Sequence, residues 1–296
     1  MLLIIGITGH SGKYLLQELI DNPPNFEKIR VSVRPKSHVS LLNNCNLAIE
    51  QFVGDIEDES FLNEIMQGVD TLIHIAGIRY SIKLINAAIS NNISRMILVH
   101  TTGVYSKYKS ASQEYKQIDN EIHELAKKNN IDLTILRPTM IYGSVNDRNV
   151  VKFIKLVDKF KIVPVVNRAK YELQPVHAKD LGKAYYDVLV NPQSTANKDY
   201  NLSGKNPIML IDMLKEIEKN LGIKRKYFNV PFPIAYVGSW IIYLLTLTKF
   251  DYREKVQRLC EPRVFPHEDA INDFGYNPVA FEDGIIGEVK DYLNLK

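Results

Sequence analysis

Leu2-Leu3-Ile4-Ile5-Gly6-Ile7-Thr8-Gly9-His10-Ser11-Gly12-Lys13 decides the fold. Through residue 7 it is apolar save for Gly6, as a strand buried on both faces requires. The glycines that follow have GxxGxxG spacing, and residues 12–20 then read as a helix. Strand, tight glycine turn and helix in that order bring backbone N–H groups to a helix N-terminus, where a pyrophosphate is held. The glycine pattern alone is weak; the strand before it and the helix after it give it weight. Gly12-Lys13 also imitates the end of a triphosphate-binding loop. That motif needs a glycine where this chain has Ile7 and a Ser or Thr where it has Tyr14, so it fails twice.

Outward from this unit, β-rich runs recur at residues 29–33, 47–53, 71–75, 96–100 and 133–136, with helix-like segments at 60–66, 82–89 and 113–127. Alternation at this spacing predicts right-handed βαβ units and an α/β fold with a doubly wound parallel sheet. After Tyr142-Gly143 prolines become frequent and the rhythm changes. We read a dinucleotide-binding Rossmann domain over residues 1–143 plus parts of 160–205. Residues 144–160 and 206–296 form a smaller, mostly helical C-terminal lobe for the substrate, packed over the carboxyl ends of the strands. No internal repeat is visible.

The chain has 296 residues, 45% hydrophobic and 24% charged, which excludes disorder and low complexity. Its 37 Lys and Arg against 34 Asp and Glu leave +3, and the longest basic block is Lys224-Arg225-Lys226. A nucleic-acid binder would carry a concentrated basic stripe. Cys45 and Cys260 stand alone, without the spacing of a disulfide framework or zinc site, so no metal is expected. The N-terminal apolar run is too short for a signal-peptide core, which predicts a cytoplasmic protein with reduced thiols.

At the end of the second strand, NAD-specific folds place an acid on the ribose 2′-hydroxyl. Here the chain reads Val33-Arg34-Pro35-Lys36. Arg34 can pair with a 2′-phosphate, which favours NADP over NAD.

Taken together, these segments resemble the short-chain dehydrogenase/reductase superfamily, in its atypical NAD(P)-dependent epimerase/dehydratase branch, over nearly the whole chain. Gly6, Gly9 and Gly12 match the cofactor turn, and Asp55-Ile56 the residues beside the adenine. His74-Ile75-Ala76-Gly77 is similar to the loop after the fourth strand. Leu136-Arg137-Pro138-Thr139-Met140-Ile141-Tyr142-Gly143 resembles the family's RPxxIYG signature, the most specific match. Gln174–Asp180, Tyr200-Asn201-Leu202 and Phe274–Pro278 are similar to later landmarks. The resemblance implies a cofactor set of Gly6, Thr8, Gly9, His10, Ser11, Gly12, Arg34, Asp55, Ile56, Ala76, Gly77, Arg137, Pro138 and Thr139. Arg137 and Pro138 would shape the nicotinamide pocket through the backbone.

The family's catalysis uses a Ser/Thr hydroxyl, a Tyr, and a Lys four residues later on the same helix face. Thr101, with Thr102 as second choice, matches the hydroxyl, and Tyr115 the Tyr. Yet Asp119 stands where the Lys belongs, and Lys116 lies about 100° round the helix. A carboxylate beside the Tyr opposes the relay; the bland reading makes Asp119 a surface charge and Tyr115 a half-buried packing residue. Tyr105 and Lys109 share the family spacing but fall too close to Thr101, so that pair reads as chance. The loop from Gly77 to Ser81 is short for a sugar-nucleotide epimerase.

Arg148 and His177 are candidate substrate contacts. Arg148, like Arg168, flanks the region where the family binds substrate phosphates, and His177 with Asp180 more often caps and packs a helix. Residues 232–247 are nearly all apolar, with Tyr236, Trp240, Tyr243 and Leu247 on one face and Val237, Ile241 and Leu244 on another. Such a helix is buried, or touches a membrane surface or a dimer partner. Two functions stay open: an NAD(P)-dependent oxidoreductase or epimerase acting on a carbonyl or hydroxyl compound, with nucleotide-linked sugars leading, or a non-catalytic NADP(H) sensor or assembly protein. A monomer or a homodimer suits either.

Overall fold

The structure is a computed structural model that describes every residue except Lys109, so the Tyr105/Lys109 pair lies outside the described residues. Strands β1 (Leu2–Ile5), β2 (Ile29–Val33), β3 (Ile49–Val53), β4 (Thr71–His74), β5 (Arg95–Val99) and β6 (Asp132–Pro138) form one sheet with Lys198–Leu202. The order is β3-β2-β1-β4-β5-β6 and then Lys198–Leu202, with every neighbour parallel. From β1 the chain winds outward one way through β2 and β3, then the other way from β4. Ligands of such sheets sit where the winding reverses, above the carboxyl ends of β1 and β4.

Both faces of the sheet are covered, and β1 shows why its run is apolar throughout. Side chains alternate between faces, so Leu2 and Ile4 join one core and Leu3 and Ile5 the other. The first core is closed by helices Gly12–Asp21 and Ala178–Val190, through Leu15, Leu19, Leu181, Tyr185 and Val188. These helices approach closely at Gly182, where a Cβ would stand 2.4 Å from Tyr14 Cβ. The second core is closed by helices Glu59–Met66, Ser81–Ser90 and Ser112–Lys128.

A third core belongs to the C-terminal lobe. Val150, Ile154 and Val157 pack with Met213, Leu214 and Ile217 and with Phe281, Ile285 and Val289, from helices Val150–Lys159, Leu210–Asn220 and Phe281–Asn294. A short parallel pair, Ile162–Val166 with Lys226–Val230, adds strand to the expected helical lobe. The buried reading of residues 232–247 is overturned. Helix Phe232–Leu245 has only Ser239 buried, and its Leu244 and Leu245 are 64% and 78% exposed.

Candidate dinucleotide and substrate site

The glycine turn is as tight as its sequence requires. Gly6 has φ +97°, a backbone shape that side chains disfavour. The Gly9 N–H donates to the Gly6 carbonyl at 3.0 Å. A Cβ on Gly12 would lie 2.2 Å from that same carbonyl oxygen, so the helix can start against the strand only with glycine here. The helix has no acidic residue in its first turn, leaving its positive end for an anion. Ser11 is buried and accepts a bond from the Tyr185 hydroxyl at 3.3 Å, and Thr8 is half-buried. His10 ties the turn to the segment after Tyr142: its Nδ1 lies 3.0 Å from Ser144 Oγ, and burial lowers its pKa.

Around this turn, Arg34 is exposed at the end of β2, and no described residue pairs with its guanidinium. Asp55 is exposed, accepting from the Glu57 N–H at 3.0 Å, with Ile56 half-buried beside it. Ala76 and Gly77, the latter at φ +120°, line a cavity of about 370 Å³ that Tyr115 also lines. The loop beyond Gly77 is short, as read from the sequence: one 3-10 turn, Ile78–Tyr80, leads straight into helix Ser81–Ser90. A backbone cradle that a Cβ would fill, an open helix end and a free cation at the β2 end suit a dinucleotide.

A larger cavity, about 650 Å³, opens over the carboxyl ends of β5 and β6. The sheet side contributes Thr101, Thr102, Pro138 and Thr139. Thr102 is buried and donates to the Pro138 carbonyl at 3.2 Å, and the Thr139 hydroxyl donates to the Gln174 carbonyl. Thr101 Oγ1 only accepts, from the Gly103 N–H at 3.0 Å. Its hydroxyl proton meets no acceptor among the described residues.

The lobe contributes Arg258 and Arg263 to this cavity. Their Nε atoms are buried, and among the described residues nothing accepts from them. Burial, with the Arg258 cation nearby, pulls the Arg263 pKa down to about 10. The acid beside them, Glu261, is taken by the Ser106 hydroxyl and the Lys107 N–H, each at 2.7 Å. Two half-buried arginines, each with a buried Nε–H that meets no acceptor, form a place for an anion, although Arg258 also faces Glu254 at 3.8 Å.

The surface-charge reading of Asp119 is corrected by the structure. Asp119 is buried; its Oδ1 accepts from His100 Nδ1 at 2.6 Å, and its Oδ2 from Arg137 at 2.7 and 3.1 Å. Arg137 also reaches Asp199 at 2.7 Å, and Asp199 lies 3.1 Å from His123 Nε2. Burial lowers the His100 pKa and keeps the ring neutral, so its Nε2 accepts from the buried Ser81 hydroxyl at 3.0 Å. The Lys position of the family relay is thus filled by a closed ionic network. The Arg137 guanidinium faces two carboxylates, and its side chain does not line the large cavity.

Other expectations separate in space. Tyr115 is buried against Ile78 and Val104 and lines the smaller cavity, whereas Thr101 lines the larger. The Arg79 guanidinium stands 5.3 Å from the Tyr115 ring centre. The two candidate substrate contacts lie apart from the large cavity. Arg148 is exposed and does not line the large cavity; Arg168 is exposed too. His177 caps helix Ala178–Val190 by accepting from the Lys179 N–H at 3.1 Å, and its ring packs edge-on to Tyr142 at 5.1 Å. Sequence reading missed Arg258 and Arg263, which lie in no family landmark; the only local signal was two arginines flanking Cys260-Glu261-Pro262.

The sequence pattern of a family described as NAD(P)H-binding matches residues 6–163, more than half of the chain. The chain belongs to the NAD(P)H-binding family. Its site accordingly binds NAD or NADP, as the glycine turn indicated. Among curated relatives, this family member is 23% identical over 248 residues to the mitochondrial NADH dehydrogenase (ubiquinone) 1 alpha subcomplex subunit 9 of Arabidopsis thaliana. That match covers 78% of this chain but only 60% of the relative, so the chain spans well under two thirds of its length. It is also 23% identical over 292 residues to N-acetyl-alpha-D-glucosaminyl-diphospho-ditrans,octacis-undecaprenol 4-epimerase of Escherichia coli O157:H7, covering 82% of this chain and 79% of the relative. A solved UDP-glucuronic acid 4-epimerase from Bacillus cereus, in complex with UDP-glucuronic acid and NAD, superposes with a TM-score of 0.76. It covers 100% of this chain and 99% of that one at 16% identity, which shows the fold.

Proposed function

We propose that this NAD(P)H-binding protein is an enzyme, an oxidoreductase or epimerase whose substrate is a sugar carried on a diphosphate, with nucleotide-linked sugars leading. The observation that carries this reading is the pair Arg258 and Arg263, whose buried Nε–H groups meet no acceptor among the described residues, in the same cavity as the Thr101 hydroxyl. The two relatives named as epimerases support it, because both names describe a sugar on a diphosphate. When bound, the nicotinamide supplies hydride transfer.

The chain supplies the rest. The turn Gly6–Gly12 holds the cofactor pyrophosphate, and Arg34 selects a 2′-phosphate and hence NADP. Thr101 donates to the reacting oxygen; Tyr115, the family's proton carrier by resemblance, lines the neighbouring smaller cavity, and its part in the relay is what Tyr115→Phe tests. Arg258 and Arg263 hold the diphosphate and so fix the sugar beneath them.

The buried Asp119 network favours one second reading, a cofactor-binding sensor or assembly protein without turnover. Incubating the protein with UDP- and dTDP-hexoses and NAD or NADP, and resolving products by chromatography, separates the two. The enzyme reading predicts turnover that falls about 10²-fold or more in Thr101→Val and in Tyr115→Phe. Turnover indifferent to Tyr115→Phe removes that residue from the relay. Cofactor binding with no product from any sugar favours the sensor.

A further inference from the structure

Helix Phe232–Leu245 and the turn that follows it present their faces in the reverse of the usual order. At 100° per residue, Phe232, Tyr236, Ser239, Tyr243 and Thr246 fall on one side, and all are buried or half-buried. Ile234, Val237, Ile241, Leu244 and Leu245 fall on the opposite side, within about 100°, and each is more than half exposed. The solvent stripe is wholly aliphatic, while the hydroxyl groups face the protein. Phe228 before the helix and Leu247 and Phe250 after it, also more than half exposed, lengthen the apolar strip. A contiguous surface of this kind marks a contact with something else.

The surrounding charge says what that something is. Residues 221–260 hold seven Lys and Arg but two acids, Asp251 and Glu254. Asp251 pairs with Arg253 at 2.7 Å, and Glu254 faces Arg258 at 3.8 Å. Lys224, Lys226 and Lys249 are exposed and pair with no carboxylate among the described residues. Arg253 lies 4.1 Å from the ring centres of both Trp240 and Tyr243, an aromatic and cationic cluster suited to the border between an apolar layer and water. A second copy related by a twofold axis would set these same cations against one another. An anionic lipid surface meets both features at once. No helix among the described residues is long and apolar enough to cross a membrane, so this one would lie in the plane of the interface.

We propose that the strip Phe228–Phe250 seats this protein on an anionic lipid bilayer, its aliphatic stripe among the upper acyl chains and its lysines among the headgroups. This docking is independent of the catalytic reading. Trp240 is the chain's single tryptophan, so its fluorescence reports this contact alone. Vesicles of phosphatidylcholine with phosphatidylglycerol are expected to pellet the full chain and shift Trp240 emission to the blue, and phosphatidylcholine alone to do so far less. Ile241→Glu with Leu244→Glu, both in exposed positions, should abolish both signals while thermal unfolding and gel-filtration mass stay unchanged. Lys249→Glu should weaken binding roughly fivefold or more. No pelleting with anionic vesicles, pelleting retained in the double variant, or a vesicle-independent blue shift with doubled mass in sedimentation would each overturn the proposal, the last by showing that a second copy covers the strip.

Discussion

Asp119 sits at the position that the family's relay gives to lysine, and its surroundings show that a lysine could not be simply restored. Burial pushes its carboxyl up, but the bonds from His100 and Arg137 outweigh this and hold it below the usual carboxylate range. Asp119→Lys would put a cation against Arg137 and leave His100 Nδ1–H without an acceptor. Loss of a buried ionic partner costs about 3–5 kcal/mol, so urea unfolding should show a drop of that order and no gain of turnover. Glu288 offers a cleaner test. Burial and the neighbouring Asp147 raise its pKa to about 9, and its Oε2 accepts from the Gly143 N–H at 2.7 Å. The native state therefore keeps a proton that the unfolded chain releases near pH 4.5, and this group's contribution to stability is lost as pH rises from 4.5 towards 9. Glu288→Gln, which copies the protonated form, should raise the melting temperature, and more at pH 8 than at pH 5. A smaller gain at pH 8 than at pH 5 would contradict that protonation. The glycine turn was legible at this scale because its partners lie within a few residues. The His100–Asp119–Arg137–Asp199 network and the Arg258/Arg263 pair were not, since contacts between distant strands and lobes leave no spacing to read.

Among elements, strand–turn–helix alternation was readable wherever a strand is buried on both faces. The Lys198–Leu202 strand was recognised only as a family landmark, because an edge strand with two exposed polar residues at its start, Lys198 and Asp199, carries no apolar run. The apolar character of residues 232–247 was plain, but its orientation depends on what it packs against. The element that should tolerate least is the cofactor turn. Gly12→Ala places a methyl group 2.2 Å from the Gly6 carbonyl. NADPH titration should show binding lost, whereas an unchanged affinity would mean the turn does not hold the pyrophosphate. At the β2 end, Arg34→Ala removes a charge-assisted contact of about 1.5–3 kcal/mol. Fluorescence titration should show NADPH affinity falling roughly tenfold to a hundredfold and NADH affinity unchanged; equal effects on both would mean Arg34 does not read the 2′-phosphate.

For the molecule as a whole, three cores set the division of labour. Two lie on the faces of the sheet and fix the cofactor turn at the carboxyl ends of β1 and β4. The third holds the lobe, and the large cavity opens between sheet and lobe with Thr101 on one wall and Arg258 and Arg263 on the other. The change of rhythm after Tyr142-Gly143 was legible in the sequence, whereas the residues lining the lobe side of the cavity were not. In the proposed function this cavity takes a diphosphate-bearing substrate. Calorimetric titration of UDP into the NADPH-saturated protein decides this, set against a variant carrying Arg258→Met and Arg263→Met. Binding should weaken about tenfold or more in the variant, with NADPH affinity unchanged. Equal UDP affinity in both proteins, or none in the unaltered one, would contradict it.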